Sequence, residues 1–296
     1  MKQWMLWAAV AAIVTVAIIG TVSHQVPVRP RTDRAEGDPL RLVSLSPSVT
    51  EILFELGLEE NLIGVSTACT YPDEAADIRR VGDMGAPDLE LIQAIGPDLV
   101  ISTAFRDPEM VRVLEAAGAE VLLVEQGCLD EVVDSIRIIG RAAGHEERAA
   151  NYARRLRARI EQATVTVPED ARPRVFVELS PQPLATGAKG TFLDDLIVRA
   201  GGSNIAHDMG TPWTRISPDE VVARDPEIII IAYMMAGDTQ QSLARRIGWG
   251  RVSAVRNGWV IDTIDEDLIM RPGPRLVDGL EELGDLFRRY REQEQR

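Results

Sequence analysis

The segment His145–Ala163, HEERAANYARRLRARIEQA, constrains this chain more than any other stretch. Ala149, Ala153, Leu156, Ile160 and Ala163 recur at helical spacing and form a narrow apolar stripe, while arginines crowd the remaining faces. Gly144 separates the segment from the periodic stretch before it, and Pro168 and Pro173 stop it. One set of alternating strand and helix patterns precedes it and a second set follows. The arrangement predicts an α/β fold of two lobes joined by one stiff helix, with a ligand cleft between them. A surface helix of one continuous α/β domain would satisfy the periodicity alone.

The first set opens with RLVSLS (Arg41–Ser46), a short strand entering a turn at Pro47. Ser48-Val-Thr-Glu51 is a capping-box pattern, and Ile52, Leu53 and Leu56 continue it as a helix ending at Gly57. LIGVS (62–66) is the next strand and exits into a loop with Cys69 and Tyr71 at its tip; strands follow at 98–102 and 120–125. Helices at 89–95, 108–117 and 129–143 alternate with them, which implies a mostly parallel sheet with right-handed crossovers. Ligands of such sheets lie beyond the carboxyl ends of the strands. That rule places Ser46-Pro47, Cys69–Tyr71, Thr103–Phe105 and Gln126–Cys128 along one edge. A strand order 2-1-3-4 would set the strands leading to Cys69 and Cys128 roughly 14 Å apart, so free thiols are expected rather than a disulfide. No GxGxxG follows the first strand, so a dinucleotide site lacks support.

The second set runs from Arg174–Leu179 through the turn-rich SPQPLATG, a helix at 191–200, the loop 207–213 and the β-branched run Ile228–Ile231, which suits a strand buried on both faces. A strand at 259–264, a loop at 265–274 and a final helix at 275–291 complete it. One element repeats between the lobes: Leu89-Glu90-Leu-Ile-Gln-Ala-Ile-Gly-Pro-Asp-Leu-Val-Ile and Asp219-Glu220-Val-Val-Ala-Arg-Asp-Pro-Glu-Ile-Ile-Ile. Glu90 and Glu220 thus hold equivalent places. Each suits a solvated acid favoured by its helix dipole, worth about 0.3–1 kcal/mol. Each equally suits one half of a contact with a two-fold symmetric partner carrying arginines.

The net charge of −14 argues against nucleic acid as a partner and against attraction to anionic lipid. Two cysteines and three histidines cannot build a dense metal site. At the N-terminus, Lys2 precedes an uncharged run, Trp4–Val22, close to the ~20 residues of a spanning helix. It reads as an uncleaved anchor or a secretory signal; its length and the lack of a clean small-x-small cleavage pair favour the anchor. With no cysteine close behind the run, a lipid-modified N-terminus is not available. The expected organisation is an anchor or signal segment (1–23), a linker (24–40), a first lobe (41–144), a connecting helix (145–168) and a second lobe (169–296).

RLVSLSPSVTEILFELG, CTYPDEAADIRRVGDM, DLELIQAIGPDLVIS, Thr211-Pro212-Trp213, WGRVSAVRNGWVIDT and DEDLIMRPGPRLVDGLEEL occur in this order. Together they resemble the substrate-binding proteins of bacterial metal-chelate ABC importers, and among these the vitamin B12 (corrinoid) binders. The resemblance implies two Rossmann-like lobes with mostly parallel sheets bridged by one long helix, the class III periplasmic binding protein architecture, with little hinge motion. It implies no enzymatic activity and no intrinsic cofactor. The bound ligand would be cobalamin or a related corrinoid, held by Pro47, Cys69, Tyr71, Phe105, Trp213, Asp267 and Arg271. Glu90 and Glu220 match the family's docking acids, which meet arginine pockets on the ABC transporter permease dimer. The protein would act as a monomer on the outer side of the cytoplasmic membrane.

The sequence departs from the corrinoid binders where a tyrosine falls at Ala68 and two tryptophans fall near Met84 and Thr103. A haem or ferric-siderophore binder of the same architecture is the alternative ligand class, with Arg106 and Arg271 available for anionic chelates. A Rossmann-like enzyme using Cys69 with His207, or Cys128 with His145, is the alternative of another kind, although no nucleophile elbow or glycine-rich phosphate loop supports it.

Overall fold

A computed structural model describes residues 39–103, 108–233 and 239–294. The apolar N-terminal run, almost all of the linker, Phe105 and Arg106 lie outside the described residues. In the first lobe, β1 (Leu42–Ser44) leads into α1 (Pro47–Glu55), followed by β2 (Leu62–Val65), α2 (Leu89–Ile95), β3 (Leu99–Ser102), α3 (Pro108–Ala116), β4 (Glu120–Leu123) and α4 (Leu129–Ala142). The four strands are parallel in the order β2-β1-β3-β4, the 2-1-3-4 arrangement under which the two cysteines stay apart.

The bridging helix α5 (Glu146–Ala163) buries Ala149, Ala153, Leu156 and Ile160, with Ala163 half-buried. Glu146 and Glu147 face the positive end of its dipole. Its 18 residues span about 27 Å at 1.5 Å per residue. Small residues let it lie against α4. A Cβ built on Gly140 would come within 2.1 Å of the Ala149 Cβ, so nothing larger than glycine fits without parting the helices.

The second lobe contains β5 (Arg174–Glu178), β6 (Leu184–Gly187), α6 (Phe192–Arg199), β7 (Ser203–Asn204), β8 (Trp213–Arg215), α7 (Pro218–Arg224), β9 (Ile228–Ile231), α8 (Thr239–Ala244), β10 (Val260–Ile261), α9 (Glu266–Met270) and α10 (Leu276–Glu294). Its parallel sheet has the order β7-β5-β9-β10. Three details differ from the sequence reading. SPQPLATG holds a strand, β6, which pairs antiparallel with β8 and sets Trp213 opposite Gly187. The last strand keeps only Val260 and Ile261 in register, opposite Ile229 and Ile230 of β9. The loop before the final helix contains α9, capped by the Asp265 carboxylate accepting from the Asp267 amide at 3.0 Å.

One apolar core runs through both lobes. Leu53, Val133 and Ile136 of the first meet Ala153 and Leu156 of α5, and the same cluster continues into Leu193 and Ile197 of α6 and Leu280 and Leu283 of α10. Polar contacts reinforce the junction. Asp195 accepts from the Leu129 amide at 2.9 Å, capping α4 from the opposite lobe, and Arg199 bridges Asp195 and Asp130 at 2.9 and 2.7 Å. Arg159 of α5 holds Asp278 and Glu281 of α10.

Candidate ligand cleft

The carboxyl ends of β1, β3 and β4 open on a cleft of about 760 Å3, closed on the other side by the start of α6, by Pro212-Trp213 and by Met270–Pro272. Its two walls differ in chemistry. On the first lobe the wall sets hydrogen-bonding side chains among Pro47, Ala68 and Met84. The Ser46 hydroxyl, held in place at the start of α1, accepts from the Thr103 amide and hydroxyl at 2.9 Å each. Ser48 donates to Gln126 Oε1 at 2.7 Å, and Gln126 Nε2 donates to Ser135 at 3.0 Å. Buried polar groups of this kind require partners, and these supply one another. On the second lobe the wall is aromatic: Phe192 and Trp213 lie 5.2 Å apart between ring centroids, and Trp213 remains 49% exposed toward the cleft.

Arg271 stands where the walls meet. Its Nε binds Asp267 at 2.6 Å and its Nη2 donates to Thr70 of the other lobe at 2.9 Å, while its Nη1 is buried without a partner among the described residues. A buried guanidinium N–H lacking an acceptor is costly, and an oxygen of a bound molecule would relieve it. Below the cleft, Arg275 grips both oxygens of Glu51 at 2.8 and 3.1 Å. Burial pushes the Glu51 carboxyl above its ordinary value, with the Arg275 hydrogen bonds and charge pulling it back.

The residues expected to bind ligand divide into separate groups. Pro47, Trp213 and Arg271 stand on the cleft wall. Asp267 orients Arg271 from behind. Cys69 is a correction: it is fully buried in the core of the first lobe, 3.2 Å from the Ser66 hydroxyl, because a turn closed by its amide on the Ser66 carbonyl swings the side chain inward. Its neighbour Ala68 takes the place on the wall. Tyr71 is a second correction: it lies outside the cleft, with the Arg275 guanidinium 3.7 Å from its ring centroid. Both cysteines are free, and burial pushes the Cys128 thiol up. Phe192 and Met270 line the cleft and were not singled out in the sequence. The available signal for Phe192 was its place directly after Thr191, whose hydroxyl caps α6 and so fixes the helix start at the cleft.

Glu90 and Glu220 sit in the first turns of α2 and α7, each helix ending in a left-handed residue (Gly96, φ 58°; Asp225, φ 43°) before a central strand. His207 keeps its Nδ1 on buried Asp194 at 2.9 Å, in the lobe opposite Cys69. Among the described residues, no cluster of three or more histidine, cysteine or acidic side chains could hold a metal, and no helix is long and apolar enough to cross a membrane.

Comparison with known proteins agrees with this geometry. An ABC transporter substrate-binding lipoprotein of Bacillus subtilis, the uncharacterised YvrC, is 34% identical over 256 residues, covering 84% of this chain and 80% of the relative. The vitamin B12-binding protein of Photorhabdus laumondii is 29% identical over 250 residues, covering 83% and 86%. Among solved structures, the periplasmic haem-binding protein RhuT of Roseiflexus superposes with a TM-score of 0.75 at 26% identity, covering 86% of this chain and 100% of that one. The periplasmic vitamin B12 binding protein BtuF of Vibrio cholerae gives 0.72 at 27% identity, covering 84% and 97%. Residues 42–266 match the periplasmic binding protein family, whose members bind solutes and are not enzymes, and the chain belongs to that family.

Proposed function

We propose that the protein captures cobalamin or a related corrinoid outside the cytoplasmic membrane and delivers it to an ABC importer. The observation that carries this reading is the cleft with one aromatic and one hydrogen-bonding wall. A corrinoid presents a broad face for Trp213 and Phe192 to cover, and rim amides for Arg271 and the hydroxyl wall. The ligand is cargo, and no resident cofactor takes part. Because the lobes share a core, binding reorganises little, and less affinity is lost to ordering. The apolar run Trp4–Val22 would tether the chain to the membrane, leaving the lobes free as a monomer. Glu90 and Glu220 would meet arginines of the permease dimer, in line with relatives named as ABC transporter and vitamin B12 binders.

A second reading, haem, rests on the same wall. Ala68, Met84 and Thr103 line the cleft where aromatics would strengthen a corrinoid site, and structural relatives are named for haem. Titration of the full chain with cyanocobalamin, cobinamide, haemin and a ferric siderophore, followed by visible spectroscopy, separates the two. A corrinoid spectral change at stoichiometric protein supports the first. Silence toward both corrinoids with a response to haemin or the siderophore overturns it.

A further inference from the structure

The first lobe carries a second hollow, separate from the cleft. It has a volume of about 360 Å3 and is lined by Phe54 near the end of α1, by Glu59 and Glu60 of the turn that enters β2, and by Glu74 and Ile78 of the segment that follows β2. Its floor is apolar: Phe54 and Ile78 are half-buried and rest on the core. Its rim is acidic. Glu59, Glu60 and Glu74 are exposed, and none has an ion-pair partner among the described residues. Asp73 and Asp77, both exposed, extend the negative charge. Carboxylates set around an apolar floor suit a partner that combines guanidinium groups with aliphatic surface.

The chain itself supplies such a partner at this spot. The described residues open at Pro39, and Asn61 Nδ2, next to Glu60, donates to the Leu40 carbonyl at 2.8 Å. Leu40 packs on the same interior cluster as Phe54 and Ile78. Just ahead lie residues 26–34, VPVRPRTDR, with three arginines against one acid, interleaved with two valines and two prolines. Their charge is opposite to that of the chain as a whole, which carries −14. An extended chain brings Arg34 within about 18 Å of Pro39. Covalent attachment keeps the segment beside the hollow at an effective concentration on the order of millimolar, so that exposed ion pairs, weak one by one, suffice together with the apolar contact.

We propose that residues 26–34 seat in this hollow, with Arg29, Arg31 and Arg34 on Glu59, Glu60 and Glu74, and with Val26, Val28 and Pro30 covering Phe54 and Ile78. The seating rests on neither the cargo nor the transporter. With Trp4–Val22 as the anchor, it also sets how the lobes are mounted. From Val22 to Pro39 an extended chain reaches about 60 Å at most, whereas from Val22 to a seated Arg31 it reaches about 30 Å. Leu40 and Glu59–Asn61 directly precede β1 and β2, so the hollow lies at the amino ends of the strands and the cleft at their carboxyl ends. A seated segment therefore halves the tether and turns toward the membrane the edge opposite the cleft, which leaves the cleft facing outward for capture.

The test measures trypsin cleavage after Arg31 and Arg34 in the full chain in detergent micelles, against a free peptide of residues 24–40 under the same conditions. At low salt both bonds should be cut about tenfold or more slowly in the chain. Salt at 1 M, where the screening length falls to about 3 Å, should remove most of that protection. So should Glu59→Gln/Glu60→Gln/Glu74→Gln, which alters exposed side chains only. Glu161→Gln/Glu169→Gln/Asp170→Asn removes equal charge at the end of α5 and the turn beyond it, and should leave the protection intact. Equal cleavage of chain and peptide, equal loss in both triple variants, or protection that disappears on dilution and so belongs to a second copy, overturns the proposal. Benzoylphenylalanine at position 28 locates the contact: irradiation should give an adduct within one chain, mapped to residues 54–60 or 73–78. Adducts only with other stretches, with a second copy or with detergent overturn it as well. None of these readouts involves the cleft, so the cargo reading stands or falls separately.

Discussion

The Glu51–Arg275 pair beneath the cleft gives a sharp test, because its two members come from opposite lobes and are buried to different degrees. The Glu51 side chain is 2% exposed and that of Arg275 17%. Glu51→Ala leaves the guanidinium with Asp267, 3.9 Å away, as its remaining acid. Removing one member of a buried pair costs about 3–5 kcal/mol, whereas replacing both by apolar groups of similar volume is often close to neutral. Burial already outweighs Arg275 at Glu51, since the carboxyl titrates above its ordinary value of 4.5. The native state therefore holds that proton more tightly than the unfolded chain. Stability from it is full below 4.5 and is lost as pH rises through the folded value. Arg275→Met removes the influence that lowers this value, so its stability loss should be larger at neutral pH than at about pH 5. Urea unfolding measures all of this: Glu51→Ala should lose about 3–5 kcal/mol, and Glu51→Met/Arg275→Met should recover most of it. A Glu51→Ala loss below about 1 kcal/mol, or a double variant no better than the single ones, would refute the view that the pair is costly to split and dispensable whole.

Other outcomes follow from the same structure. Trp213 keeps about half its surface free, on the order of 100 Å2, so Trp213→Ala should weaken the cleft ligand by about 2.5 kcal/mol, roughly 60-fold, in the spectroscopic titration. Gly140→Ala should destabilise the α4–α5 contact by about 1–3 kcal/mol, since its Cβ would meet Ala149 at 2.1 Å. Gly144→Ala has open space around it and should cost only the left-handed backbone term, about 1 kcal/mol, by the same urea measurement. Burial opposes ionisation of Asp225, but the Ser253 amide and hydroxyl and the Arg174 charge outweigh it and hold the carboxyl below 3.8. Its contribution is present above 3.8 and is lost as pH falls through the folded value, so the stability gap to Asp225→Asn should close on acidification.

The regular elements were legible because their signals are local. Leu89–Ile95 carries its cap in Asp88 and its stop in Gly96, and Ile228–Ile231 is apolar on both faces because helices cover both. The stripe of α5 was equally plain, and the alternation around it implied the parallel sheets. Loops hid the rest. Cys69 and Tyr71 follow the carboxyl end of β2, the correct edge for a ligand, yet which side chain a turn directs outward depends on its closure, and this one exposes Ala68 to the cleft. Strand β6 was masked by its proline and glycine neighbours, which read as a turn. Glu51 looked like the last member of a capping box, and its actual partner lies 224 residues away, a separation no short pattern can reveal.

The apolar cluster threading both sheets has a consequence for how the molecule comes apart. Leu156 and Leu193, on different elements, lean on the same interior, which covers one face of each sheet; the other face has its own cluster in each lobe (Val43 and Val100; Phe176 and Ile229), so melting either sheet strips one of the two covers from the other. Heating should give one transition with matching calorimetric and spectroscopic enthalpies, and cutting the chain after Pro168 should yield two fragments that are each unfolded alone. For a carrier, this means that release of cargo must come from force applied to the whole body by its receptor, since no half can relax independently.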